Sequence, residues 1–291
     1  MALAPLVVGI GEVLWDVFPD GKKLGGAPLN FSHHCGQLGA RAFPVSAVGA
    51  DAEGEEIRQI FASKKLVGDH VQTDPAHPTG RVNVTLKDGK PSYEILREVA
   101  WDFIRFDSKL RDLASRADAV CFGSLAQRSP VSRASIHEFL DAMRPDALRI
   151  FDVNLRQDFY SKEIIKASLQ RANILKLSDE ELPVLAEMFG LAGEVHAQLQ
   201  GLREMFGLRL VAYTRGGEGS LLIAADDISD HSGFPTTVVD TVGAGDSFTA
   251  TLCMGFLQKL SLAEVNRRAN QVAAFVCSQA GATPPLNLQF A

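Results

Sequence analysis

Cysteines are few in this chain, long apolar runs are missing and positive charge is not in excess, and each shortage removes a class of function. Its 291 residues hold four cysteines, Cys35, Cys121, Cys253 and Cys277, far apart and without Cys-x-x-Cys or paired-histidine spacing. They read as buried thiols in a reducing cytoplasm rather than as a disulfide framework. The net charge is −6, with no Lys/Arg run and no basic stripe interleaved with aromatics, which argues against a nucleic-acid partner. No uninterrupted apolar run is long enough to cross a bilayer, so no membrane partner is expected. The apolar start, Met1 to Ile10, lacks a basic leader and runs into Glu12 and Asp16, as a first core strand does and a signal peptide does not. Internal repeats, low-complexity tracts and long linkers are missing too. A chain that is 46% hydrophobic and 22% charged then fits one large domain, or one with a small appendage.

What is present is an alternation. Strand-like runs at Leu6 to Ile10, Val45 to Val48, Ala119 to Phe122, Arg149 to Val153, Ile174 to Leu177 and Leu208 to Tyr213 are separated by segments of helical period. That pattern predicts an α/β fold with a mostly parallel sheet covered by helices on both faces. Residues 79–104 break the rhythm. Arg81 to Leu86 and Ser92 to Arg97 alternate apolar and polar around Lys87-Asp-Gly-Lys90, as a β-hairpin does. With the glycine-rich and irregular residues 14–27, the stretch 79–103 is expected to form a β lid on a core of residues 1–13, 28–78 and 104–291; a plain solvent-exposed flap is the alternative. Val82, Val84 and Ile95 offer the hairpin an apolar face, for a homodimer clasp, for the ligand or for each other.

The richest stretch is Val239-Asp-Thr-Val-Gly-Ala-Gly-Asp-Ser-Phe248. Thr236 to Val239 reads as a short strand and Phe248 to Leu260 as a helix, so Gly243 to Asp246 should form the entry to that helix. The first backbone N–H groups of a helix have no internal acceptor, and the macrodipole favours an anion in front of them. Gly243 and Gly245 admit close backbone approach, and Ala244 stays small. Asp246 then has two readings: a helix N-cap, or a base that takes the proton of a hydroxyl attacking phosphorus.

Other polar groups follow the strands' carboxyl ends, where open α/β sheets bind ligands. Asp16 and Asn30, with Gly25 and Gly26 between them, offer hydroxyl-binding groups, or serve as turn and helix-start residues. Asp152 and Asn154 share one side of their strand, and Arg156 beyond them suits a phosphate, a carboxylate or a structural ion pair. Ser178-Asp-Glu-Glu181 has the form of a capping box. Tyr213-Thr-Arg-Gly-Gly-Glu-Gly-Ser220 is either a hairpin turn or a phosphate cradle, without the Walker lysine. Gly9-Ile-Gly11 lacks the third glycine of a dinucleotide fingerprint.

Taken in order, these motifs resemble those of the ribokinase (PfkB-type) family of carbohydrate kinases over nearly the whole chain. Asp240-Thr-Val-Gly-Ala-Gly-Asp-Ser-Phe248 is similar to the family's C-terminal signature and Gly25-Gly-Ala-Pro-Leu-Asn30 to its N-terminal di-glycine motif. Gly89-Lys-Pro-Ser-Tyr93 with Ala100-Trp-Asp102, Phe122-Gly-Ser-Leu-Ala-Gln-Arg128 and Phe151-Asp-Val-Asn-Leu-Arg156 resemble segments of bacterial fructokinases. The resemblance implies a ribokinase-like three-layer α/β/α sandwich with a small β-sheet lid. It implies a sugar held by Asp16, Gly25, Gly26 and Asn30, with Asp246 as base and the amides of Gly243, Ala244 and Gly245 as anion hole. Arg156 would lie near the phosphates, Ser178, Thr214, Gly216 and Gly219 on the nucleotide side, and Asn270 and Ala274 near adenine. ATP with magnesium is implied, Glu181 acting on the metal through water, and a monovalent cation such as potassium bound by the carbonyls of Asp240 and Val242. The family's Asn-x-x-Glu motif departs here to Ser178-x-x-Glu181.

The expected activity is transfer of the γ-phosphate of ATP to a ketohexose, D-fructose at its 6-hydroxyl first. The alternatives are a 2-keto-3-deoxygluconate kinase, whose acid substrate would need Arg97 or Arg156, a ribose or nucleoside kinase, and a sugar-binding regulator that has lost transfer.

Overall fold

The computed structural model describes residues 3–63, 67–87 and 90–286. The strands are β1 (Leu6–Ile10), β2 (Leu14–Phe18), β3 (Gly21–Gly25), β4 (Arg41–Gly49), β5 (Val71–Asp74), β6 (Gly80–Lys87), β7 (Lys90–Ile95), β8 (Ala119–Phe122), β9 (Leu148–Asp152), β10 (Ile174–Ser178), β11 (Leu210–Thr214), β12 (Ser220–Ala224) and β13 (Ile228–His231). The α-helices are α1 (Ala27–Gln37), α2 (Ala52–Ser63), α3 (Ser108–Arg116), α4 (Pro130–Asp141), α5 (Lys162–Leu169), α6 (Leu182–Phe189), α7 (Val195–Phe206), α8 (Ala244–Leu257) and α9 (Leu262–Cys277).

Nine strands form one sheet in the order β13-β12-β11-β10-β9-β8-β1-β4-β5. From β5 to β11 every neighbour is parallel; only the β11–β12 and β12–β13 pairings are antiparallel, so β12 alone runs against the rest. The middle strands are apolar on both faces because helices cover both. Alternate residues divide between two cores: Leu6, Val8 and Ile10 pack with Phe151 and Leu175 on one face, and Val7 packs with Ile150 and Phe248 on the other.

A second sheet, β3-β2-β6-β7, stands beside the first. It leaves the chain directly after β1 and again after β5. Residues 14–27, expected to be irregular, contain its β2–β3 hairpin, with Asp16 opposite Lys23; Gly21 (φ 151°) makes the turn that charged flanks disguise. Val82 faces Ile95 and Val84 faces Tyr93 across β6 and β7, while the expected turn residues Asp88 and Gly89 lie outside the described residues. Val82, Val84 and Ile95 are buried within this one chain and join the main core. They are therefore not the exposed face that a dimer clasp would need.

Three further expectations change. Residues 236–239 form no strand, with a bend at Val239; Val238 and Val239 are exposed, and the Val239 N–H donates to Cys277 O at 2.8 Å. β-Branched residues alone do not make a strand without a free sheet edge to receive them. Cys35, Cys121 and Cys253 are buried, but Cys277, at the end of α9, is only half-buried. Strands β5, β12 and β13 also extend the sheet beyond the runs legible as strands.

Candidate active site

The carboxyl ends of β1, β9, β10 and β11 open beside the N-termini of α1 and α8. Gly243 caps α8 in the left-handed conformation (φ 80°), where a Cβ would lie 2.4 Å from Ala282 O, so only glycine fits. Asp246 therefore sits in the first turn and not at the cap. Its Oδ2 accepts a hydrogen bond from Asn30 Nδ2 at 2.8 Å. Burial raises its pKa to about 6, against the pull of Asn30. Asn30 Oδ1 is buried and has no hydrogen-bond partner among the described residues, an acceptor suited to a ligand hydroxyl. The Ala244 N–H reaches Thr241 O at 3.3 Å, and Gly245 follows where a helix supplies no internal acceptor.

At the start of α1, Gly26 (φ 117°) lies against the Glu12 carbonyl, where a Cβ would be 2.3 Å away. A Cβ on Gly25 would come within 2.3 Å of Asp16 Oδ2, so that glycine makes room for the carboxylate. Burial lifts Asp16 to about 6 and Glu12 to about 7. Glu12 Oε1 accepts from the Ala27 N–H at 3.3 Å, whereas the buried Oε2 has no partner among the described residues. The positive charge of the exposed Arg156, whose Nη1 donates to Leu155 O at 2.9 Å, favours the ionised forms of Glu12, Asp16, Asp152 and Asp246 alike.

Two residues here went unassigned at the sequence level. Lys176 of β10 lies opposite Asp152 of β9, and its Nζ donates to Asp152 Oδ1 at 3.0 Å, with both side chains buried. Thr249 Oγ1 of α8 lies 2.9 Å from the Gly245 carbonyl and 3.3 Å from Asp152 Oδ2, its one proton shared between these acceptors. Burial opposes the ammonium charge, but Asp152, Glu181 and Asp246 outweigh it and hold Lys176 protonated. A lysine inside the apolar run Ile174-Leu-Lys-Leu177 was the available signal; its partner becomes visible only with the strand register.

Ser178 and Thr214 end neighbouring strands in register. Ser178 does not cap a helix: α6 begins at Leu182, with Glu181 in the cap position. The two Glu181 oxygens accept from the N–H groups of Leu155 and Ser178, each at 2.8 Å, so the carboxylate braces the loop before Arg156 against the end of β10. The turn 215–219 joins antiparallel β11 and β12; Gly216 (φ 53°) and Gly219 (φ 83°) are left-handed, and a Cβ on Gly219 would meet His231 O at 1.9 Å. The Asn270 side chain turns into the fold, donating to Ser220 Oγ at 2.7 Å and to Asn266 O at 2.8 Å. Ala274 lies one turn further along α9, its carbonyl accepting from Thr236. Asp240 braces the signature loop: Oδ1 accepts from the Val242 N–H at 3.1 Å and Oδ2 from the Gly281 N–H at 3.0 Å. Arg97 is apart from this cluster, exposed, 3.5 Å from Asp158 and over the Phe159 ring.

The sequence profile of the pfkB family of carbohydrate kinases matches residues 10–288. The chain belongs to that family and is thus a sugar kinase. It is 30% identical over 296 residues to a protein from Pyrococcus horikoshii described as an uncharacterized sugar kinase, covering 95% of this chain and 91% of the relative. The crystal structure of that protein superposes with a TM-score of 0.83 over 96% of this chain and 93% of the other. A fructokinase from Salmonella typhimurium is 29% identical over 256 residues, 84% of this chain and 81% of its own length. The fructokinase of Vibrio cholerae, crystallised with fructose, ADP and calcium, has a TM-score of 0.80 at 25% identity, with 97% of this chain and 95% of the other covered.

Proposed function

We propose that this sugar kinase transfers the γ-phosphate of ATP to a ketohexose, D-fructose at its 6-hydroxyl. The observation that carries the proposal is Asp246: a half-buried carboxylate in the first turn of α8, hydrogen-bonded to Asn30 beside the di-glycine entry to α1. A carboxylate with a pKa near 6 is ionised at neutral pH and basic enough to take a proton. Asp16, Gly25, Gly26 and Asn30 are assigned to the sugar. Asp246 accepts the hydroxyl proton as that oxygen bonds to phosphorus and the bond to the ADP oxygen breaks. Negative charge gathers on the transferring group at the amides of Gly243, Ala244 and Gly245, with Arg156 beside it. Ser178, Thr214, Gly216 and Gly219 are assigned to the nucleotide phosphates. Asn270 and Ala274 form the adenine side, Asn270 by shaping the wall from within.

Among the described residues there is no cluster of three or more metal-ligating side chains. That fits a magnesium ion carried mainly by the nucleotide phosphates and water, which needs only one or two carboxylates from the protein. Glu181 would hold it through water, and magnesium would neutralise phosphate charge. Asp240 and Val242 are assigned a potassium ion through their carbonyls. The small sheet, residues 14–27 and 79–103, serves as the lid that keeps water from the γ-phosphate. The fructose assignment draws support from the Salmonella and Vibrio relatives.

A coupled assay of ADP release with ATP and magnesium tests this against fructose, 2-keto-3-deoxygluconate, ribose, fructose 6-phosphate and adenosine. Selective turnover of fructose is expected. Preference for the keto acid would replace the substrate, and sugar binding without turnover across the panel would favour a regulator.

A further inference from the structure

The buried Lys176–Asp152 pair lies directly beneath the turn assigned to the phosphoryl group. A Cβ added to Gly245 would lie 3.2 Å from Lys176 Nζ, so this glycine makes space for an ammonium as well as for a phosphate. The placement is electrostatically odd. A helix N-terminus carries a partial positive charge and disfavours a neighbouring cation. A buried ion pair is also poor value for stability, since an apolar pair of similar volume commonly does as well. Both objections disappear when a multiply charged anion occupies the turn.

We propose that Lys176 is a positioning residue for phosphoryl transfer: held by Asp152 across the β9–β10 register, its ammonium supports the first turn of α8 and the charge that gathers there. This rests on the assignment of that turn and Asp246 to transfer. Asp152 is met in turn by Thr249 of the same helix, so the pair ties the sheet edge to α8 on the side where Asp246 must be aligned. The charged groups around it are Asp152 on β9, Glu181 ahead of α6, Asp246 on α8 and Arg156 beyond β9.

The test is the double variant Asp152→Asn with Lys176→Met, which removes both charges at nearly constant volume. Turnover of fructose with ATP and magnesium is expected to fall about 100-fold, the lower end of the range for removing one charge-stabilising donor. KM values for sugar and ATP should change less than twofold, and the melting temperature should stay within a few degrees or rise. Affinity for ADP with aluminium fluoride and fructose, which mimics the group in flight, should fall in parallel, while affinity for ADP alone does not. Lys176→Gln carries the same expectations if the double variant does not fold. Turnover within threefold of the parent, with unchanged binding of the mimic, would reduce the pair to scaffolding. Asp246→Asn run alongside separates the two claims: its inactivity beside an active pair variant overturns only the role of Lys176, whereas its full activity overturns both.

Discussion

Three carboxyls, the buried Glu12 and the half-buried Asp16 and Asp246, hold their protons more tightly in the folded chain than their ordinary values allow. Such groups stabilise the fold below the unfolded pKa and lose that contribution as pH rises through the folded one. For Glu12 the window runs from 4.5 to about 7, worth about 3 kcal/mol by linkage. Glu12→Gln should therefore raise the melting temperature at pH 8 and leave it nearly unchanged at pH 4; an equal change at both would show that ionisation is not the cause. Asp246 gives the matching kinetic expectation. Its base form is lost as pH falls, so kcat/KM for fructose should drop tenfold per unit below about pH 6, and a limb centred near pH 4 would contradict the burial argument. Glu181 accepts two backbone amides, and Glu181→Gln should raise the magnesium concentration needed for half-maximal rate. Unchanged metal dependence with lower stability would leave it as a brace alone.

Beyond its core contacts, the small sheet is tied to the main body at α2, where Glu56 meets Lys22 and its neighbour Glu53 reaches three partners. Glu53 of α2 meets Lys22 of β3 and Arg81 of β6, and its carbonyl accepts from Trp15 Nε1. Glu53→Ala should loosen this sheet, raising the KM for sugar and the ATP hydrolysis seen without sugar, with melting temperature little altered; unchanged kinetics would deny it a lid's role. Six parallel strands, β1, β4 and β8 to β11, were legible in sequence because burial on both faces writes continuous apolar runs. β5 and β13 are short, half-polar edge strands and left no such trace; β12, one strand in, is apolar but directly follows a glycine-rich turn that reads equally as a phosphate cradle. Residues 21–25 hid a strand behind two lysines, and residues 236–239 imitated one. The same division runs through the site. Glycines and acids at strand ends announced themselves, but Lys176 meets Asp152 only through pairing between strands, and Glu181 bonds Leu155 only because a loop folds back onto it.

Across the whole molecule, the two helix starts assigned to ligands and four strand ends are held in one frame by the two cores, so occupancy should be read out as stability. Fructose at 100 times its Kd should stabilise the protein by about 2.7 kcal/mol, and ribose at the same concentration much less. The account stands or falls on Asp246. Turnover of fructose by Asp246→Asn, measured beside calorimetric binding of fructose to the same protein, should fall between about 10²-fold and 10⁴-fold while binding is retained. Turnover within a few-fold of the parent, with binding intact, would contradict the assignment of Asp246 as the base.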